Sequence, residues 1–279
     1  MKKILKLLVI VSLIGIVNYA GFFLDNGIGL KGMQLGGAYT ADPMSGEALY
    51  WNVANLVNVK DSEFYVSYAQ KFSDLTNYSF IYNTKLSADS ALGVAYYRVG
   101  VDNNDVRDSS GSKTGSFQYV NEAYFIGYSK ALSDSSSCGL TVKSVSQKAV
   151  DQASYISLDL AYRMQLLKNL SLGLVAQDIY NNGNPADIKP IYRAGLSTQL
   201  FDCVFSADYM YHSLFSTGYY KFGVGYVGLP FVEIKAGYSD YDKNFYAGLS
   251  TSFFGIKIDY LYTNPELDVV HQFGLGIDF

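Results

Sequence analysis

From Gln272 to Phe279 the chain alternates without a slip. Phe273, Leu275, Ile277 and Phe279 occupy every second position, and Gln272, Gly274, Gly276 and Asp278 fill the gaps. Successive residues of a strand point to opposite faces. One face of this segment is therefore greasy and the other small and polar. Such a strand needs an apolar phase on one side and a polar space on the other. A helical period would scatter the four apolar residues around an axis.

The same pattern recurs through most of the chain. After residue 60 about fourteen alternating runs are separated by turn signals: 63–72, 77–87, 91–101, 117–132, 139–150, 154–166, 170–180, 190–201, 204–212, 218–227, 231–239, 244–253, 256–262 and 270–279. They are long beside the ~5–6 residues usual in globular strands. They suit strands of ~9–11 residues crossing a bilayer at a tilt. Even-numbered connections are terse, such as Leu167-Lys168-Asn169, Phe201-Asp202-Cys203 and Phe254-Gly255. Odd-numbered ones are generally longer and polar, as at 102–116, 181–189 and 263–269, with a short exception near 73–76. Sorting of loops by parity is expected of a transmembrane antiparallel β-barrel with both termini on one side.

The faces sort as well. Leu158, Leu160 and Tyr162 alternate with Ser157, Asp159, Ala161 and Arg163; Tyr192, Ala194 and Leu196 alternate with Arg193, Gly195 and Ser197. The apolar set is assigned to lipid, because an ionised side chain facing lipid near mid-membrane costs about 2–4 kcal/mol. Tyrosines near strand ends, such as Tyr96-Tyr97, Tyr209/Tyr211, Tyr219-Tyr220 and Tyr260/Tyr262, suit interfacial girdles.

Composition agrees. Tyrosine reaches 26 residues and charged residues only 16%, against about 25% in soluble domains. The formal charge of −4 provides no basic field for nucleic acid. Mean hydropathy is +0.07, as expected when each strand is only half apolar.

The N-terminus reads differently. A basic stretch, residues 1–6, precedes an apolar run at 7–17, with Ala20 as the last residue before cleavage. Residues 1–20 are read as a signal peptide, with an uncleaved anchor helix as the competing reading. Cys138 and Cys203 are expected to be free thiols. They begin strands four apart, and strands spaced ~4.8 Å put the two beyond the roughly 7 Å a disulfide allows.

Residues 29–56, GLKGMQLGGAYTADPMSGEALYWNVANL, do not alternate. They resemble the N-terminal signature of the FadL-like outer-membrane protein superfamily, and within it most closely the PorV/PorQ type. The matching residues are Gly32, Met33, Gly36, Gly37, Ala38, Tyr39, Thr40, Ala41, Asp42, Ala48, Tyr50, Trp51, Asn52, Ala54 and Leu56. Val53 stands where that motif has Pro, and Asn55 where it has Gly. Residues 173–180, 190–200, 232–250 and 255–262 resemble later parts of the same superfamily. The resemblance implies a hatch inside the barrel. Residues 21–60 are accordingly expected to be a plug and 61–279 the barrel. The resemblance also implies a bacterial outer-membrane location, lipid as surroundings, and assembly by a barrel-assembly machinery that reads Phe273, Leu275, Ile277 and Phe279.

Candidate lumen-lining residues are Lys143, Asp159, Arg163, Arg193, Asp208, Lys221, Glu233, Lys235, Lys257 and Asp259. They either line a solute path, since lumen charge tunes selectivity, or pair with each other and with the plug. No nucleophile elbow, H-E-x-x-H or C-x-x-C motif occurs, so no enzyme, cofactor or metal is expected. His212 and His271, with Asp208, Asp240 and Asp242, are the one set that a rim hydrolase would use. The acidic stretch 102–108 lacks calcium-loop spacing and is read as solvated. The resemblance implies two alternative functions: passive diffusion of a hydrophobic or small molecule past the plug, as in FadL-like channels, or docking of secreted protein cargo in type IX secretion, as in PorV/PorQ-type proteins. A surface porin with no specific substrate is a third.

Overall fold

The computed structural model describes residues 24, 27–42, 45–71, 75–148, 152–183, 188–265 and 269–279. The signal-peptide reading of 1–20 lies outside these residues. Fourteen strands form one closed antiparallel barrel. They are β1 (Ser62–Lys71), β2 (Leu75–Ser87), β3 (Ser90–Arg107), β4 (Lys113–Ser133), β5 (Ser136–Lys148), β6 (Gln152–Leu167), β7 (Leu170–Asn181), β8 (Ile191–Leu200), β9 (Cys203–His212), β10 (Thr217–Leu229), β11 (Val232–Ser239), β12 (Asn244–Phe253), β13 (Ile256–Thr263) and β14 (Val270–Asp278). Each pairs with its chain neighbours. β14 closes on β1 from Glu63↔Asp278 to Gln70↔His271, so no edge remains. Phe279 continues the seam: its N–H donates to the Ser62 carbonyl at 2.9 Å, and Ser62 N–H donates back at 3.0 Å.

Alternation dictates the two faces. Outward Ile126, Leu160, Ile234 and Phe273 are 60%, 47%, 47% and 57% exposed, while inward Phe125 and Asp259 are 2% and 0% exposed. Cys138 on β5 and Cys203 on β9 are free.

Three expectations need correction. The connection 102–116 is mostly strand: β3 runs to Arg107 and β4 starts at Lys113. A bulge between Val101 and Asn104 shifts the register and hides the alternation. The remaining turn is organised by Asp108, whose carboxylate accepts from Ser110 N–H at 2.9 Å and Ser112 N–H at 3.0 Å. Those bonds, the Ser110 hydroxyl first, hold its carboxyl below the usual range. Adjacent tyrosines do not share a girdle, because neighbours in a strand take opposite faces: Tyr97 is buried inside while Tyr124, in line with Tyr96, faces out. Not every wall charge faces inward either. Arg98 and Glu122 oppose each other across β3 and β4 on the outward face. The Arg98 guanidinium lies 5.5 Å from the Tyr78 ring centre, and Tyr96 Oη donates to Glu122 at 2.5 Å.

Candidate functional site

Residues 27–42 and 45–59 pack against inward-facing side chains all around the wall. They carry two short helices, α1 (Leu30–Gln34) and α2 (Ala48–Trp51), and a 3-10 stretch over Val53–Asn58. Segments this short have little helical stability of their own. Their backbone groups must find partners elsewhere, and side chains supply them. Glu47 accepts from the N–H groups of Lys31 and Gly32, both at 2.8 Å, at the start of α1. Asp208 on β9 accepts from Tyr39 N–H at 3.1 Å and Thr40 N–H at 2.9 Å. Asn52 donates to the Thr40 carbonyl at 2.7 Å and to Tyr162 of the wall at 3.2 Å, and accepts from Ala54 N–H at 3.0 Å. Gln34 donates to the carbonyls of Leu249 and Tyr260 at 3.1 and 3.0 Å, and accepts from the Ser250 hydroxyl at 3.0 Å.

Trp51 is the apolar centre. It is 1% exposed, donates from Nε1 to the Ile28 carbonyl at 2.9 Å, and meets Tyr50 and Tyr39 edge-on at 5.1 and 6.2 Å. The Arg193 guanidinium stands 5.5 Å and the Lys221 ammonium 5.9 Å from its ring centre, and both cations gain from the ring's negative face. Glycines create the space: a Cβ on Gly27 or Gly32 would lie 2.4 Å from the indole. Facing glycines on the wall do the same. Gly237 would press a Cβ to 2.1 Å from Gly36 N and Leu35 C, and Gly173 to 2.0 Å from the Thr40 carbonyl oxygen. Gly36 itself sits at φ 64.

All ten candidate lumen charges lie on inward-facing positions, and most have partners. Lys143 bridges Asp159 and Asp178, each at 3.0 Å. Lys257 pairs with Glu63 at 2.6 Å and Asp278 at 2.7 Å, and Lys235 with Glu233. Arg163 donates to Ser171 at 3.3 Å and Arg193 to the Tyr50 hydroxyl at 3.1 Å. Such pairing is expected of charges withdrawn from water. Within the inner segment, burial pushes the Glu47 carboxyl up to about 7, and the Asp259 charge adds to this. Burial also raises Asp42, against the pull of Arg163.

Sequence reasoning missed Glu47, Gln34, Asp178 and the wall glycines. The glycines carried a signal, since Gly173, Gly195, Gly223, Gly237 and Gly248 all fall on inward positions. Asp178 owes its place to a bulge, with φ 54 and a register break opposite Asp159. The rim set of histidines and aspartates is not assembled. His212 packs on Phe215 at 4.4 Å and His271 bonds Tyr260 at 2.7 Å. Asp208 instead holds the inner segment, and Asp242 bonds Tyr246. Among the described residues no group of His, Cys, Asp and Glu could hold a metal ion. A shallow cavity of about 390 Å³ lies on the outer face of β6–β9, flanked by Leu160, Leu174, Tyr192 and Tyr209.

No protein-family model matches this sequence, and no curated protein matches it. Solved structures do match in fold. The toluene transporter TbuX of Ralstonia pickettii aligns with a TM-score of 0.68 at 13% identity, covering 91% of this chain and 99% of its own. The toluene transporter TodX of Pseudomonas putida gives 0.65 at 13% identity, over 90% and 96%. A FadL homologue of Pseudomonas aeruginosa gives 0.59 at 11% identity, over 89% and 97%. The expected FadL-like barrel is thus present as a fold. A closer likeness to PorV/PorQ is not among these matches.

Proposed function

We propose that this chain is a small channel of a bacterial outer membrane that passes hydrophobic molecules by diffusion, with residues 27–59 as its plug. The observation that carries the reading is a segment seated inside a closed barrel and held largely by side-chain hydrogen bonds rather than by strand pairing. The solved barrels of this fold that transport toluene support an apolar, monoaromatic solute class. A solute passes when the plug loosens locally, since the wall ladder needs no rearrangement. Lys221 and Arg193 secure the plug through Trp51, Asp208 holds its backbone, and Lys143, Lys235 and Lys257 are neutralised by neighbouring carboxylates. The outward row Phe273, Leu275, Ile277 and Phe279 serves as the assembly signal. Phe279→Asp should lower the heat-modifiable folded yield more than Asp278→Asn, and equal yields would remove that role.

The test of transport is toluene flux into liposomes holding wild-type protein or the plug-loosened Trp51→Ala variant. Faster flux through the variant supports the reading. Equal, negligible flux through both would sink it. No observation in the structure favours the docking of secreted cargo.

A further inference from the structure

The barrel wall is unequal. β2–β6 are 13, 18, 21, 13 and 16 residues long, whereas β8, β9, β11, β12, β13 and β14 have 10, 10, 8, 10, 8 and 9, with β10 among them at 13. At ~3.3 Å per residue and a tilt of ~40°, 8–10 residues reach only ~20–25 Å along the barrel axis. The apolar band of such barrels is ~25 Å tall. The extra length of β3 and β4 lies at the rim opposite the C-terminus, and the side of 8–10-residue strands has little to spare.

The turns on that side, at the end of the barrel that holds the C-terminus, have aromatic tips. Phe201 joins β8 to β9, Phe231 joins β10 to β11, and Phe254 joins β12 to β13. They are 97%, 61% and 89% exposed. All three hold positive φ, at 54, 64 and 50. Tight turns ordinarily give such positions to Gly or Asn, because a bulky side chain is strained there. At the opposite rim the same backbone state is taken by Ser216 and Lys243. On the long side, the turns at the C-terminal end are polar: Ala88-Asp89, Asp134-Ser135 and Lys168-Asn169. The phenylalanine tips are also continuous with the outward face. Phe231 and Phe254 lie 5.2 and 4.2 Å from outward Phe253, and Phe279 stacks on Tyr82 at 6.4 Å.

We propose that Phe201, Phe231 and Phe254, with Phe253 and Phe279, form a one-sided aromatic foot that inserts at the headgroup–acyl boundary of the leaflet on the termini side. The strained tips hold rings at the rim where the outward apolar face meets the headgroups. This inference rests on the membrane-spanning part of the proposed function, not on transport.

The test uses the single native tryptophan, Trp51, which is buried and gives a constant background. Full-length Phe254→Trp and Phe201→Trp are folded separately into phosphatidylcholine vesicles brominated near the headgroup or near the chain ends. Leu275→Trp, on the outward face of β14, reports the bilayer interior. The foot predicts blue-shifted emission from both tip variants, with quenching by headgroup-proximal bromines and little by chain-end bromines. Emission at the wavelength of water, quenched by neither lipid, overturns the foot. A blue shift that depends on protein concentration and resists brominated lipid also overturns it, assigning the patch to contact between copies. If Leu275→Trp is quenched while the tips are not, the foot fails and the spanning barrel stands; if Leu275→Trp is also unquenched, the membrane reading itself fails. Replacing the tips by Asn relieves the backbone. A purely structural role therefore predicts equal or better folding into vesicles, and the foot predicts a lower yield in vesicles but not in detergent.

Discussion

The wall and the inner segment share one lumen but are held by different physics. The wall is a closed ladder in which every strand exchanges backbone hydrogen bonds with two neighbours and presents apolar residues outward. The inner segment has two helices of 5 and 4 residues, one tryptophan core, backbone groups satisfied by Glu47, Asn52 and Asp208, and Gln34 bonded to carbonyls of the wall. Removing one contact from a ladder leaves the rest intact, whereas removing one anchor from the segment loosens much of what holds it. The two should respond differently to the same size of perturbation.

Four experiments would break or sharpen that contrast. The largest effect should come from Trp51→Ala. Truncating a buried aromatic costs about 3–5 kcal/mol, and here the loss also strips Arg193 and Lys221 of their shared ring. Limited proteolysis should cleave within 27–59 much faster while the heat-modifiable barrel persists. Next comes Gly237→Ala, which drives a Cβ into the backbone of Leu35 and Gly36. Overpacking of this kind costs about 1–3 kcal/mol, and cleavage should rise at the segment without loss of folded barrel.

The third is pH. Glu47 has an ordinary value of 4.5 and is pushed up to about 7 when docked. A group whose docked value is raised favours docking when protonated. Docking should be strongest below pH 4.5, weaken between 4.5 and about 7, and level off above, with a slope of at most about 1.4 kcal/mol per pH unit. Glu47→Gln should flatten that dependence in a proteolysis series; an unchanged slope would remove Glu47 as its source. The smallest effect belongs to Lys130→Ala. Its pair with Asp89 is exposed at a turn, and such pairs add little. Neither barrel nor segment should change measurably.

How much of this the sequence revealed differs between the same two regions. The wall was legible because a period of two survives in each strand, as in Phe273-Gly274-Leu275-Gly276-Ile277. It failed only where something other than alternation decided. A bulge and the run Asp102-Asn103-Asn104-Asp105 disguised the far end of β3, and an aromatic setting let Arg98 and Glu122 face outward. The inner segment was legible as a motif that includes Trp51. Its fastenings were not, because they are long-range: Gln34 meets Leu249 across 215 positions and Tyr39 meets Asp208 across 169. No local pattern encodes such pairs. The rows of inward glycine were the nearest clue, since a missing side chain on a packed face marks close approach of something else.

The central claim, that the segment opens while the wall stays closed, is tested most directly by native-state hydrogen exchange of the wild-type protein across a urea series. Amides of 27–59 should exchange through an opening of low free energy, reached at urea concentrations that leave the strand amides of β1–β14 protected. If the two sets instead merge into one isotherm at every concentration, segment and wall are a single cooperative unit and the plug does not move independently.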